Sequence, residues 1–373
     1  MDIAVREVLS KRDLKTFIYL PEEIHKDHPS WVHPIYLDEL SFFNPRRNKS
    51  FSRCDTVLAL AYEGTKPVGR VMGIINRDYN AKHNELNARF CFLECYQNIR
   101  IAGAMLDFVA SWAREKGMQR LVGPLGFSDK DPQGCMIEGF DEEVTLVTNH
   151  NFPWMGTYYE QLGFSKEIDM VSFLSPIGAV TPKYLTSISE RVLGSGRYSL
   201  VEFTPRRALR PWIVPIFRLV NETYRHIYGF IEMSEKEMHQ MAGRYIPLLN
   251  PRFVKVITTR EGELVAFLIS MAEISNGIRR ARGRLLPFGW VHILRESRRS
   301  KMLTLLLGAV KERYRGLGLE AVLGMKVFES AREAGIEKLD SHLILETNTP
   351  MIAECERLES RLHKRFRVFA KEL

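Results

Sequence analysis

The stretch that most constrains the fold lies at residues 303–321, LTLLLGAVKERYRGLGLEA, where an apolar run precedes a basic turn and a helix-like segment. This order predicts a strand, a glycine-bearing turn and a helix. Backbone N–H groups at a helix start attract anions, above all phosphates. Gly316 and Gly318 carry no Cβ that would hold a phosphate away from the backbone, while Arg313 and Arg315 add charge and forked donors. The pattern predicts a phosphate-binding turn, although a helix start capped by glycines with no ligand would look the same.

The string from Arg313 to Gly318 resembles the Arg/Gln-x-x-Gly-x-Gly/Ala pyrophosphate loop of the GCN5-related N-acetyltransferase (acyl-CoA N-acyltransferase) superfamily. The context strengthens the resemblance, because an apolar strand lies directly upstream, an amphipathic helix follows, and a second apolar strand is expected at residues 338–345. The resemblance implies acyl-CoA as a co-substrate and places Asn348 near the pantetheine arm. The residues implied in coenzyme A binding are Leu307, Gly308, Val310, Arg313, Arg315, Gly316, Leu317, Gly318, Leu319 and Glu320.

Length and charge limit the class of protein. A chain of 373 residues favours two domains over one, and 45% hydrophobic with 26% charged residues is a globular composition. It contains no apolar run of about 18 residues, and its N-terminus, MDIAVREVLSKRD, has no apolar signal core, so we expect a cytoplasmic protein without a transmembrane helix. The net charge of +8 suits a polyanionic ligand such as coenzyme A, acidic lipid headgroups or nucleic acid.

The five cysteines are scattered, and their spacing contains neither a CxxC pair nor a Cys/His pattern typical of zinc. An odd number of cysteines in a chain without a signal peptide indicates reduced thiols. We therefore expect no metal and no disulfide framework.

The chain reads as two related halves, residues 1–178 and 179–373. In the first half, a predicted hairpin across EGTKP is followed by a strand, the amphipathic helix at residues 98–116 and another strand, in the order of the acetyltransferase fold. The string YYEQLGF at residues 158–164 resembles the closing element of the superfamily. The pyrophosphate motif is missing from this half, because YQNIR stands at residues 96–100, after its central strand.

These resemblances imply an α/β (α+β) fold with tandem acyl-CoA N-acyltransferase-like domains, each a mixed, mostly antiparallel sheet flanked by helices. The second domain is expected to bind acyl-CoA, and the first is a degenerate copy that shapes the substrate cleft. The closing segment at residues 344–369 resembles a group of large, two-domain bacterial members of the superfamily. Some members of that group acylate amines of lipid precursors, including sphingoid bases.

Acyl transfer from a thioester to an amine requires positioning, a proton acceptor and stabilisation of the oxyanion. The superfamily uses a backbone N–H at the end of its central strand as the oxyanion donor, which corresponds here to residues 308–310. Glu346 and Asn348 are the predicted catalytic residues, with Glu346 as the general base. The alternative is that Glu346 caps the following helix. Residues 351–361 contain no tyrosine, so the superfamily's usual acid for the leaving thiolate is in doubt, and Cys355 is a weak substitute.

The acceptor site is expected in the first half. An acidic stretch between residues 129 and 143 is suited to a cationic amine, and Glu138 and Asp141 are its predicted substrate-binding members. Trp154, Tyr158 and Tyr159 are predicted to wall an apolar acceptor channel. The alternatives are a solvated loop for the acidic residues and core packing for the aromatic ones.

The leading hypothesis is an acyl-CoA-dependent N-acyltransferase that acts on a primary amine, with a lipid amine such as a sphingoid base as the candidate acceptor. The alternatives are a transferase of similar fold that uses aminoacyl-tRNA as the donor, or a non-catalytic binder of nucleotides or nucleic acid. No specific nucleic acid is expected, because no helix-turn-helix or RNP-type string is present. Peripheral contact with an acidic membrane surface is compatible with the basic charge.

Overall fold

A computed structural model describes residues 2–145, 148–178 and 180–373. Its strands are β1 (Ile3–Glu7), β2 (Cys54–Glu63), β3 (Lys66–Asn76), β4 (Asn87–Cys95), β5 (Arg120–Gly123), β6 (Cys135–Glu138), β7 (Ser165–Pro176), β8 (Tyr198–Glu202), β9 (Val254–Thr259), β10 (Leu264–Ala272), β11 (Met302–Val310), β12 (Lys338–Asp340), β13 (Ile344–Leu345) and β14 (Arg361–Glu372). Its helices are α1 (Lys11–Ile24), α2 (Tyr36–Phe42), α3 (Arg77–His83), α4 (Ile99–Glu115), α5 (Trp154–Gln161), α6 (Lys183–Gly194), α7 (Ile213–Thr223), α8 (Glu235–Tyr245), α9 (Ser275–Ala281), α10 (Gly289–Arg299), α11 (Leu319–Glu333) and α12 (Thr349–Arg357).

All of these strands belong to one sheet, in the order β1-β2-β3-β4-β5-β14-β7-β12-β11-β10-β9-β8, with β6 added to β14 and β13 added to β7. Most neighbours are antiparallel, while β4 with β5 and β11 with β12 are parallel. The predicted α/β class with a mixed, mostly antiparallel sheet is therefore confirmed.

The two halves of the chain exchange their closing strands. The last strand, β14, lies between β5 and β7 of the first half, with Phe369 opposite Gly123 and Phe366 opposite Met170. In return, β7 pairs with β12 of the second half, where Ser175 lies opposite Leu339. The sheet therefore runs without interruption across the expected boundary at residue 178. The division into residues 1–178 and 179–373 stays a prediction, supported by the repeated strand order.

One amphipathic helix covers the sheet in each half. Helix α4 buries Ile101, Met105 and Val109, whose four-residue spacing places them on a single face. Helix α11 buries Leu319 and Val322 against strands of the second half. Complete burial of each such side chain stabilises the fold by about 1.5–3 kcal/mol. This packing fixes where both helices begin, which is the feature that matters for the site.

The strand predicted at residues 338–345 is wrong as a continuous element. Residues 341–343 interrupt it and separate β12 from β13. His342 has a φ of +57°, in the left-handed region, and its backbone N–H donates to Asp340 Oδ1 at 2.7 Å. The local turn therefore satisfies the backbone through a buried carboxylate instead of the strand ladder, which the apolar pattern of the sequence does not reveal.

All five cysteines are buried and have free thiols. Burial raises the pKa of Cys135, which makes its thiolate less accessible at neutral pH. Among the described helices, none is both long and apolar enough to cross a membrane.

Candidate functional site

The centre of the second half is a place where two parallel strands separate. Strands β11 and β12 pair through Met302–Lys338, Leu303–Leu339 and Thr304–Asp340. Beyond Thr304, β11 continues to Val310 while residues 341–343 turn away. A bulge next to Leu306 shifts the pairing of β11 with β10 at the same level. Beyond this strand divergence β11 pairs with no strand on its β12 side in the described residues, and we call this side its open edge.

Helix α11 begins at Leu319, a short turn beyond the open edge of β11. Its N-cap is Gly318, a residue without a side chain that could satisfy the N–H groups of the first turn. Gly316 and Gly318 have φ values of +73° and +86°. In the described part of the chain, nothing lies within 4 Å of a Cβ built on Gly316. The turn thus presents free backbone donors and accessible space, as an anion site requires.

Gly316 and Gly318 have different surroundings. A Cβ on Gly318 would lie 2.6 Å from Ile188 Cγ2 and 3.2 Å from Val192 Cγ2, both on α6. The expectation that both glycines clear room for a phosphate is therefore corrected: Gly318 allows α6 to approach, and Gly316 faces the open side. A side chain introduced at Gly318 would disturb the α6 contact as well as the turn.

The two predicted arginines also differ. Glu263, after β9, accepts hydrogen bonds from Lys311 Nζ at 2.8 Å and Tyr314 Oη at 3.1 Å, and it also pairs with Arg313. These hydrogen bonds, with Lys311 contributing most, lower the pKa of Glu263. Arg315 is exposed, and its Nε donates weakly to Val310 O at 3.4 Å. In the residues that the structure describes, Arg315 has no carboxylate partner, so it is the cation that remains available to a ligand.

The other residues predicted to bind coenzyme A surround this turn. Leu319 is fully buried and Val310 nearly so, and both pack in the core beneath the turn. Leu317 and Glu320 are exposed at the mouth of the turn, and Leu307 is partly buried on β11. The structure brings all of these positions together, but their role in binding stays a prediction.

The corresponding places in the first half are occupied by the protein itself. The Asn98 side chain caps α4, accepting from Arg100 N at 3.0 Å. Strands β4 and β5 pair as far as Arg89 and Val122. The buried guanidinium of Arg89 then donates to Gly126 O at 3.1 Å and to a neighbouring carbonyl. The first half thus has a capped helix start and a strand divergence filled by an arginine, unlike the second half.

Tyr224 follows α7 and reaches the open edge of β11. Its hydroxyl donates to Gly308 O at 2.9 Å and accepts from Gly308 N at 3.4 Å. Burial raises the pKa of Tyr224 to about 12, so the phenol is protonated at neutral pH. The sequence carried no signal for this residue, because the superfamily's usual tyrosine is expected in the last helix, over 100 residues later in the chain.

A buried polar cluster lies at the strand divergence. Asp340 Oδ1 accepts from Ser172 Oγ at 3.1 Å, and Asp340 Oδ2 lies 2.9 Å from His363 Nε2. Asp340 and His363 side chains are each 1% exposed. Burial opposes ionisation, but the hydrogen bond from His363 and the charge of Lys364 outweigh it and lower the pKa of Asp340. Three elements from both halves, β7, β12 and β14, thus build this cluster, which we call the Asp340 cluster.

The Asp340 cluster faces away from α11. Leu303 and Leu339 pack beneath α11, so their neighbours Thr304 and Asp340 project from the opposite face of the sheet. Thr304 Oγ1 donates to Glu273 Oε2 at 3.3 Å on that face. The opposite face is also the one that α7 and α9 cover, as their buried residues share one core with β10. Asp340 therefore lies buried on the sheet face opposite α11.

Two features connect the Asp340 cluster to its surroundings. His363 Nδ1 lies 3.5 Å from Glu142 Oε2, and Glu142 reaches the surface, where Arg361 donates two hydrogen bonds to it at 2.6 and 3.1 Å. Lys364 Nζ is fully buried 3.9 Å from Asp340 Oδ2, and it has no hydrogen-bond partner among the described residues. Burial lowers the pKa of Lys364. Buried titratable groups of this kind concentrate at functional sites.

The predicted catalytic residues Glu346 and Asn348 are engaged elsewhere. Glu346 Oε2 accepts from Lys166 Nζ at 2.6 Å, and Glu346 Oε1 accepts from Asp169 N at 3.0 Å. The Asn348 side chain caps α12, accepting from Met351 N at 3.4 Å. Both side chains thus have structural partners. The general-base role of Glu346 stays a prediction that competes with the Asp340 cluster.

The residues predicted to bind the acceptor are spread over the first half. Glu138 pairs with Arg365 at 3.2 Å, and Asp141 is exposed. Tyr159 is fully buried among core rings, with its centroid 5.1 Å from that of Phe369, so core packing accounts for it. Trp154 and Tyr158 are partly buried against the same core, with ring centroids 4.8 Å apart. The structure does not gather these five side chains around one channel in the part of the chain that it describes.

Comparison with known proteins adds relatives of the same length. No family model matches the chain. Two curated proteins are similar over almost all of it: Protein YghO of Escherichia coli, 25% identical over 99% of this chain and 95% of its own, and the bacterial ceramide synthase of Caulobacter vibrioides, 22% identical over 100% and 98%.

Solved structures agree in fold. A tandem GNAT protein from the clavulanic acid biosynthesis pathway aligns with a TM-score of 0.57 and 13% identity over 100% of this chain and 98% of its own. A GCN5-related N-acetyltransferase from Sphaerobacter thermophilus aligns with a TM-score of 0.52 and 11% identity over 99% and 95%. The predicted resemblance to this superfamily is thereby confirmed for the fold.

Proposed function

Because the chain has the tandem GCN5-related N-acetyltransferase fold, we propose that it transfers an acyl group from coenzyme A to a primary amine. The observation that carries this proposal is the start of α11 next to the open edge of β11. Among the described residues, no side chain caps this helix, nothing fills the space beside Gly316, and no carboxylate pairs with Arg315. Backbone donors and a guanidinium are suited to a pyrophosphate, and a free strand edge is suited to the amides of a pantetheine arm. The second half then holds the donor, and the first half contributes strand β7.

A coenzyme A donor fits this site better than aminoacyl-tRNA or a nucleic acid. The cations at the turn are few, since Arg313 is already paired with Glu263 and Arg315 remains. A nucleic acid would be expected to contact a row of unpaired cations along its backbone. Arg315, which has no carboxylate partner in the described part of the chain, matches a single pyrophosphate beside a helix start instead.

For the acceptor, we propose a lipid amine such as a sphingoid base. The full-length similarity to a protein named bacterial ceramide synthase supports an amine with a long apolar chain. Asp340 and Glu273 are buried acidic groups on the sheet face opposite α11, which we call the acceptor face. They support an acceptor with a cationic headgroup. An acyl donor of long chain length is part of the same proposal.

The chemistry requires one proton to leave the site. An ammonium and a thioester give an amide, a thiol and one free proton, because the nitrogen loses two protons and the leaving thiolate takes one. The Asp340 cluster is the arrangement best suited to accept the other. Asp340 orients His363 at 2.9 Å, and the second ring nitrogen faces the surface residue Glu142 at 3.5 Å. We therefore assign proton acceptance to the Asp340–His363 pair, with Glu142 as the exit.

Tyr224 is the proposed donor of the proton that the thiolate takes. It is protonated at neutral pH, and its hydroxyl lies on the open edge of β11 at Gly308. The backbone N–H of Gly308 remains the proposed oxyanion donor, and the thioester oxygen would replace Tyr224 Oη, to which this N–H donates at 3.4 Å. Groups on one edge of β11 would thus stabilise the carbonyl oxygen and protonate the leaving sulfur.

Tyr224→Phe is expected to lower kcat about ten-fold or more, with KM for acyl-CoA nearly unchanged, because the hydroxyl acts on the leaving group and not on binding. The measurement is steady-state release of free thiol. Tyr228→Phe is the matched control, because its hydroxyl contacts Glu167 at 3.3 Å instead of β11. Equal kcat values for Tyr224→Phe and the wild type would remove Tyr224 from the mechanism.

The proposed function as a whole is tested by amide formation. The purified chain is incubated with acetyl-CoA or palmitoyl-CoA and with amines that range from a short alkylamine to a sphingoid base, and the products are identified by mass spectrometry. We expect a long-chain amide that depends on acyl-CoA. Activity with aminoacyl-tRNA alone, or the absence of any amide with every pair, contradicts the proposal.

A further inference from the structure

The connection between β10 and β11 carries an exposed apolar cluster. The side chains of Leu286, Phe288, Trp290 and Val291 are 72%, 72%, 49% and 42% exposed. Four large apolar side chains within six residues form a contiguous exposed patch of the kind that marks an interaction surface. The indole N–H of Trp290 donates to Pro287 O at 3.2 Å, which orients the ring.

Cationic side chains follow the apolar cluster along α10. Val291, Arg295 and Arg298 are exposed and spaced by four and three residues, so they share one outward face, opposite the buried Ile293. In the described residues, Arg295 and Arg298 have no carboxylate partner, and the same holds for Arg299. At a rise of 1.5 Å per residue, Arg295 lies about 8 Å along the helix axis from Trp290.

We propose that residues 286–299, the docking segment, bind the surface of an anionic phospholipid bilayer. In a bilayer the apolar layer lies deepest and the phosphates lie above it, and the docking segment presents an apolar tip followed by unpaired arginines in the same order. Trp, Phe and Leu side chains insert at the boundary of acyl chains and headgroups, and arginines gain from nearby anionic lipid. The positive charge of the docking segment therefore favours an acidic lipid surface as its binding partner.

The base of the docking segment is held firmly to the first half. Glu22 accepts from Arg282 at 2.9 Å and from Arg284 at 2.8 Å, and Tyr36 N donates to Gly283 O at 3.1 Å. These contacts fix the direction in which the apolar tip points. The apolar tip therefore projects as part of the folded body.

The docking segment also leads directly to the proposed site. Strand β11 begins at Met302, three residues after α10 ends, and carries Thr304 at the strand divergence. Docking would bring the acceptor face close to the bilayer that contains a lipid amine. This last step rests on the proposed function, whereas membrane binding does not.

The test is flotation of the full chain with vesicles of phosphatidylcholine, alone or mixed with phosphatidylglycerol, without any substrate. We expect binding to the mixed vesicles that weakens with salt. The double variant Phe288→Ser/Trp290→Ser should bind on the order of 100-fold more weakly, and Arg295→Glu/Arg298→Glu about ten-fold more weakly. The control is Leu9→Ser, which removes another highly exposed apolar side chain at the far end of α1 and should bind normally.

Thermal unfolding establishes that each variant is folded, which the exposure of the changed side chains favours. Binding of Phe288→Ser/Trp290→Ser equal to that of the wild type overturns the proposal, as does equal binding of the wild type to neutral and anionic vesicles. The wild type could instead fail to bind vesicles and form dimers that the same double variant does not form. The patch would then be an interface between copies of the chain, and this result also overturns the proposal. None of these results depends on catalysis, so the proposed function is judged separately.

Discussion

His363→Gln is expected to lower kcat about 100-fold while KM for acyl-CoA stays nearly unchanged. Glutamine can still bond to Asp340, but it cannot accept and pass on a proton, and loss of general base catalysis typically costs a factor of this size or more. His363 contacts Asp340 at 2.9 Å and faces Glu142 at 3.5 Å, so it is the only ring that links the buried carboxylate to that surface residue in the part of the chain described. The measurement is steady-state kinetics of amide formation.

Glu142 offers a second variant that avoids the core. Glu142→Gln should reduce kcat by about ten-fold, and added imidazole should restore part of the activity, because a soluble base can replace the exit. Glu167→Gln breaks a comparable pair with Arg120 at 2.8 Å and should have no such effect. Glu346→Gln separates the competing hypotheses. A large loss of turnover there, with normal turnover in His363→Gln, would return the base role to Glu346.

Glu94→Gln is expected to reduce the free energy of unfolding at pH 7 by about 3–5 kcal/mol, because it removes one partner of a buried ion pair. Glu94 Oε1 accepts from the buried Arg70 at 2.8 Å, and Glu94 Oε2 lies 3.2 Å from His25 Nε2. Burial opposes ionisation, but Arg70 and His25 outweigh it and lower the pKa of Glu94 to about 2. Its contribution is present above the ordinary pKa of 4.5 and is lost as pH falls toward 2.

The neighbouring Glu39 should behave in the opposite way. Burial, only partly offset by Arg70, raises the pKa of Glu39 from 4.5 to about 7. A raised pKa means stability that is present below pH 4.5 and lost as pH rises through 7, so ionised Glu39 weakens the fold at pH 8. Glu39→Gln should therefore stabilise the protein at pH 8 by about 1–3 kcal/mol and flatten the pH dependence between 5 and 8.

Both variants are measured by urea denaturation from pH 4.5 to 8. Equal unfolding free energies for Glu94→Gln and the wild type at pH 7 would show that Arg70 does not depend on this carboxylate. A destabilised Glu39→Gln at pH 8 would contradict the assigned direction for Glu39.

The strand, turn and helix at residues 303–321 could be predicted because they are local. An apolar strand, two glycines, two arginines and an amphipathic helix within 303–321 are encoded by neighbouring residues, and the structure forms that order. The pattern could not reveal that the two glycines, and likewise the two arginines, have different surroundings. The contact of Gly318 with α6 and the pairing of Arg313 with Glu263 depend on residues more than 40 positions away.

The Asp340 cluster lay beyond prediction for a similar reason. Ser172, Asp340 and His363 meet because β7 and β14 are exchanged between the halves, and a strand exchange leaves no mark on hydrophobic periodicity. Asp340 lies inside the apolar strand predicted at residues 338–345, and His363 occupies an irregular step in the pairing of β14 with β7. Tyr224 likewise reaches β11 from a helix whose sequence indicates only packing.

The central claim, that the start of α11 binds the coenzyme A donor, is tested most directly by thermal unfolding with coenzyme A, acetyl-CoA and palmitoyl-CoA. A ligand at 100 times its Kd adds about 2.7 kcal/mol of stability. Arg315→Glu should weaken binding about 10–100-fold and lose most of this stabilisation. Arg100→Glu, the same change at the capped start of α4, should retain it. Stabilisation of Arg315→Glu equal to that of the wild type, or its loss in Arg100→Glu, would contradict the claim.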